Sequence, residues 1–196
     1  MATYNAIKYN VDYAGKAGSL VPISDTTISS DSNVILTIDG TYDEHFIIFN
    51  AVHPASANEN FGVNFRSTGS SGNFNVGKQT GFYRCTQEEN GSGETFAYQS
   101  GKDVAGNSGS DFEIVTSLGN ANHDGISGYM SIFNAGSTTF QKSFFIVADE
   151  THGGNIQIMS FVSGYVRTTD ALTGIRFQMS SGNLDSGSIQ LFGVHR

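Results

Sequence analysis

Apolar residues recur at every second position along most of this chain, in short runs interrupted by turn-forming clusters. In Gly174-Ile175-Arg176-Phe177-Gln178-Met179, the side chains of Ile175, Phe177 and Met179 take one face and Arg176 and Gln178 the other. Ser188-Ile189-Gln190-Leu191 repeats the alternation with Ile189 and Leu191. Period two is the mark of a half-buried antiparallel strand. The pattern predicts strands over Leu20–Ile23, Val34–Ile38, His45–Val52, Phe61–Arg66, Gly81–Thr86, Thr95–Tyr98, Tyr129–Asn134, Gln141–Asp149, Ile156–Arg167, Gly174–Met179 and Ser188–Val194. Ser29–Asn33, Gly69–Asn75, Glu88–Glu94, Gly101–Asp111, Gly119–Gly125 and Ser180–Gly187 read as turns or loops. Asp111–Leu118 is the one stretch that could hold a helical turn. Short strands at this spacing predict an all-β fold, an antiparallel β-sandwich of jelly-roll type. The last two strands are expected to share one core through Ile175, Phe177, Met179, Ile189 and Leu191. Their long connection means that they need not pair directly.

Composition sharpens the picture in two respects. Gly is 24 of 196 residues, Trp is absent, and charged residues make up 14%. Such a chain has few helix formers, and its 15 Phe and 8 Tyr supply a core. The net charge of -8 leaves no basic excess to displace counterions from a nucleic acid. One cysteine, Cys85, excludes an intrachain disulfide and a cysteine-based zinc site. No run approaches the ~18 apolar residues of a membrane-spanning helix. No basic start followed by an apolar stretch opens the chain, which reads as made in a cytoplasm.

Residues 1–19 read as an N-terminal arm, set apart from a single sandwich domain over 20–196 by Gly15 and Gly18. The arm carries Tyr4, Ile7, Tyr9, Val11 and Tyr13, too much apolar surface for a solubilising tail. Burying those side chains on a partner would offset an ordering cost of about 1–2 kcal/mol per residue. The arm is therefore expected to make subunit contacts. The alternative is that it forms the first strand of its own sandwich.

The chemistry of sites is sparse. No phosphate-binding loop, dinucleotide fingerprint, zinc-protease helix or nucleophile elbow occurs. His45, His53, His123, His152 and His195 show no metal-ligand spacing. Asn120, Asn122 and Asp124 before Gly125 imitate half of a calcium loop, but Ser131 stands where the closing carboxylate belongs. The segment reads as an Asx-rich loop. Asp43-Glu44, Glu88-Glu89 and Asp149-Glu150 are adjacent carboxylates that a strand would send to opposite faces, and they read as solvated turn charges. Cys85 shares a face with Tyr83, opposite Phe82 and Arg84, and reads as a buried inert thiol. Tyr83, Tyr98, Tyr129 and Tyr165 are candidates for a sugar platform, with half-buried strand packing as the plainer expectation. The sequence thus predicts no catalytic residues, no metal and no cofactor.

Ile38-Asp39-Gly40-Thr41-Tyr42-Asp43-Glu44, His53-Pro54-Ala55, Ser160-Phe161-Val162-Ser163-Gly164-Tyr165 and the ending Arg176-Phe177-Gln178-Met179-Ser180-Ser181-Gly182-Asn183 through Ser186-Gly187-Ser188-Ile189-Gln190-Leu191-Phe192-Gly193-Val194 resemble a family of structural virion proteins of marine tailed bacteriophages. The resemblance covers roughly residues 20 to 194. It implies a capsid accessory protein or a tail appendage, located in the virion, and no catalytic residues. With the low charge, it favours a non-enzymatic capsid decoration or cement protein that stabilises the shell through subunit contacts. The expected partners are copies of itself, a trimer by preference, and other virion proteins such as the major capsid protein. Nucleic acid and membrane are not expected. The competing expectation is a tail-fibre or appendage protein that binds host-surface carbohydrate.

Overall fold

The computed structural model describes residues 19–106, 109–152 and 155–195. The arm residues Tyr4, Ile7, Tyr9, Val11 and Tyr13 lie outside them. In chain order the strands are β1 (Ser19–Asp31), β2 (Val34–Thr37), β3 (Glu44–Pro54), β4 (Glu59–Ser67), β5 (Lys78–Glu88), β6 (Thr95–Tyr98), β7 (Phe112–Leu118), β8 (Gly125–Phe133), β9 (Lys142–His152), β10 (Ile156–Val166), β11 (Leu172–Met179) and β12 (Leu184–His195). Every pairing is antiparallel.

The strands form two layers. One runs β1-β12-β3-β8-β9-β10-β5-β6 and the other β2-β11-β4-β7. The bridge between Leu118 of β7 and His152 of β9 joins them along one side. Within this arrangement β1-β12-β3-β8 faces β2-β11-β4-β7, the strand order of a jelly-roll. The hairpins β5–β6 and β9–β10 then extend the first layer past β8. The expected antiparallel sandwich is therefore the observed one, and the chain folds its longer layer into an overhang.

The core lies between the layers. Phe61 and Phe177 stack with ring centroids 5.7 Å apart, and Phe49 meets both. Phe65, Phe112 and Phe144 form a second aromatic group. Ile175, Phe177, Met179, Ile189 and Leu191 are all buried in one cluster, although β11 and β12 belong to different layers. Ser70-Ser71-Gly72-Asn73 and Ser180-Ser181-Gly182-Asn183, identical in sequence, both lie in connections between strands. Gly72 and Gly182 hold φ of 85° and 70°, in the left-handed region that a side chain disfavours.

Three local expectations are corrected. Asp111–Leu118 holds a strand, not a helical turn, because β7 closes the edge of the shorter layer against β4. Leu20–Ile23 is only the start of a 13-residue strand that continues through the expected turn at Ser29. Its polar residues suit an edge that pairs on one side, with β12. Ser180–Gly187 is shorter than it reads, since β12 already begins at Leu184.

Candidate functional site

The eight-stranded layer has two faces, and each carries a distinct arrangement. On the outer face no second layer among the described residues covers the side chains. Register aligns Tyr98, Tyr83, Phe161, Val147, Tyr129 and Ile48 in one row across six strands. A neighbouring row adds Phe145, and Phe133 meets it edge-on at 5.9 Å. Phe145 and Tyr129 are 54% and 45% exposed. At the far end Tyr83 and Phe96 lie nearly parallel, 15° apart with centroids 6.0 Å apart, and Tyr98 packs edge-on against Tyr83. Phe96, on the edge strand β6, is 69% exposed. A contiguous apolar surface of this extent is uncommon on a free monomer.

The inner face is apolar under the shorter layer and turns polar where that layer ends. The inward side of β5 runs Lys78, Thr80, Phe82, Arg84, Thr86, Glu88. The first three are buried, because the loop after β6 folds over them. Thr80 N–H donates to the Val104 carbonyl, and Val104 N–H donates back to Thr80 Oγ1. Lys78 Nζ donates to the Ser110 carbonyl, and its pKa is lowered to about 8 by burial, partly opposed by Asp111. Among the described residues nothing comparable covers Arg84, Thr86 and Glu88, which are half-buried. A cleft of about 230 Å³ opens there, between β5 and β10 on one side and Thr116 and Ser117 of β7 on the other.

Beside this cleft lies a set of buried polar atoms without hydrogen-bond partners among the described residues. They are both carboxyl oxygens of Glu150, Ser160 Oγ, Arg84 Nε and His152 Nδ1. Ser160 sits directly opposite Arg84, and Ile158 stands between Glu150 and Thr86. Glu150 is 1% exposed. Burial pushes its carboxyl up to about 8, with Arg84 opposing and Asp149 adding to the rise. Each unpaired group of this kind costs roughly 1–3 kcal/mol, so the cluster is a stability liability.

The structure distributes the sequence candidates as follows. Tyr83, Tyr98 and Tyr129 are exposed on the outer face, which corrects the expectation of half-buried packing. Tyr165 is half-buried and its hydroxyl donates to Gln79 Oε1. Cys85 does face the same way as Tyr83, but it is half-buried in a groove with Gln87, Glu94, Gln157 and Met159, not enclosed. Asp149 and Glu150 do point to opposite faces, yet Glu150 is a core carboxyl and not a solvated charge. Asp124 accepts from Ala121 N–H within its loop, as an Asx-rich turn does. His45 is fully buried with both ring nitrogens unpartnered, and burial lowers its pKa against the pull of Asp39. Phe96 and Ser160 carried no signal of their own in the sequence. Alternation assigns each to a face, but only the layer order decides whether that face is covered.

The class defined by these observations is an antiparallel jelly-roll sandwich with one overhanging layer. No family model and no curated protein matches the chain. Among solved structures it is similar to a structural-genomics protein of unknown function from Bacteroides ovatus, at 11% identity and a TM-score of 0.28. That likeness covers 53% of this chain and 45% of the other. The chain thus spans less than half of that protein.

Proposed function

We propose that this protein is a non-enzymatic structural protein of a tailed-phage virion, a decoration or cement protein held in place by contacts between copies of itself. The observation that carries the reading is the uncovered aromatic and aliphatic outer face. Eight strands at ~4.8 Å spacing, averaging about ten residues at ~3.3 Å, give that face roughly 1,300 Å². A standard stable interface needs about 800 Å² per partner. The face holds few charges, so pairing it with a second copy desolvates little. The resemblance to virion proteins supplies the setting, with the major capsid protein as the further partner and the virion as the location. Light scattering of the purified chain tests the contact. An oligomer is expected, a trimer by preference, and Tyr129→Asp with Phe145→Ser should return it to monomers with the fold retained. A monomer in the unaltered protein overturns the reading. Copy number per virion then separates decoration, with many copies, from a tail appendage, with few.

A second reading rests on the Tyr83–Phe96 pair, whose flat exposed rings suit stacking against a sugar ring of a host-surface glycan. It predicts that Phe96→Ala abolishes polysaccharide binding without altering the oligomeric state.

A further inference from the structure

The cleft on the inner side of the overhang carries chemistry that the outer face lacks. Its cation is Arg84, whose guanidinium matches a carboxylate or phosphate in a two-pronged hydrogen bond. Hydroxyls of Thr116 and Ser117 line the same space with the Glu88 carboxylate and the His152 ring, and Ile156 and Ile158 give it one apolar wall. The Thr86 hydroxyl there already donates to the Gly93 carbonyl. Next to it stand the unpartnered Glu150 carboxyl and Ser160 hydroxyl, both almost completely buried. One acid group, several hydroxyls and one C–H face match the guanidinium, hydroxyl and isoleucine lining of the cleft. The volume of about 230 Å³ equals roughly eight waters at ~30 Å³ each, room for a single sugar ring and not for a lipid chain.

We propose that this cleft binds a uronic-acid-type sugar residue, with its carboxylate on Arg84, its hydroxyls toward Thr116, Ser117 and the Glu88 side, and its C–H face on Ile156 and Ile158. The proposal is independent of both readings of the outer face, because the cleft opens on the other side of the sheet. The test is ligand-observed NMR and calorimetry on the full chain, with glucuronic acid as probe and glucose and inorganic phosphate as companions. Glucuronate should bind, and both companions should bind at least about tenfold more weakly, because each lacks half of the recognised chemistry. Arg84→Gln should weaken glucuronate at least about tenfold with the melting temperature retained. If that variant does not fold, Thr116→Val is expected to weaken it about threefold. Phosphate binding as tightly as glucuronate overturns the sugar assignment. Absence of glucuronate binding at about 20 mM, or binding that neither substitution weakens, overturns the site. The outer face is read separately by light scattering, so failure here leaves that result intact.

Discussion

Glu150 and His45 are two residues whose burial gives the protein a pH dependence, and they act in opposite directions. The folded chain keeps Glu150 protonated up to about pH 8, whereas the unfolded chain releases that proton from its ordinary value of 4.5 upward. The folded state therefore binds more protons across that window, and stability falls as pH rises through it. Glu150→Gln should match the parent near pH 4 and exceed it at pH 8 by on the order of 3 kcal/mol, read from urea unfolding at the two pH values. His45 works from the acid side. Its pKa lies below the ordinary 6.5 in the folded state, so stability is whole above 6.5 and is lost as pH falls below it. His45→Met should flatten the loss between pH 7 and pH 5 in thermal melts. Neither effect was visible in the sequence. The doublet Asp149-Glu150 reads as solvated turn charges and His45 as a packing or turn residue, and a strand's alternation does not say which of its faces another layer will cover.

At the scale of elements, period two was a sound guide wherever a strand is regular. β11 and β12 alternate without interruption around Phe177 and Ile189, and their inward residues are the predicted ones. Phe177 packs against the rings of both Phe49 and Phe61, and Phe177→Ala should cost about 3–5 kcal/mol in chemical denaturation. β7 shows why the same signal failed nearby. Ile114, Val115 and Thr116 are all buried, its register against β4 shifts twice, and Ser117 has φ of 60°. A bulge of this kind puts successive residues on one side and erases the alternation. Gly164 of β10 shows the opposite case, a residue whose smallness is used. An added Cβ would run into the backbone carbonyl of Gln79 on β5, with the Phe144 ring at 2.9 Å and the Thr80 backbone at 3.1 Å. Gly164→Ala should lower the melting temperature, and the additional substitution Phe144→Leu should not recover the loss, because the Gln79 carbonyl belongs to the β5 backbone.

For the whole molecule, the layer order is what the sequence least disclosed. Strand positions come from local patterning, but the overhang depends on which distant strands pair, and loop closure leaves no local trace of that. On the attachment reading of the N-terminal arm, removing residues 2–18 should leave the melting temperature unchanged and abolish incorporation into virions. Unfolding of the truncated chain would assign the arm to the sandwich instead. The pairing of β1 with β12 carries a mechanical consequence. Ser19 lies opposite His195, so the first and last described residues leave the sheet at the same end of one antiparallel pair. The hydrogen bonds of such a pair run perpendicular to the strands. Tension applied between those two ends therefore loads the bonds singly and peels β1 away rung by rung, at low force, before the aromatic core bears any strain. A protein gripped by its broad outer face would be spared that path, and the same molecule tugged by its two ends would unzip.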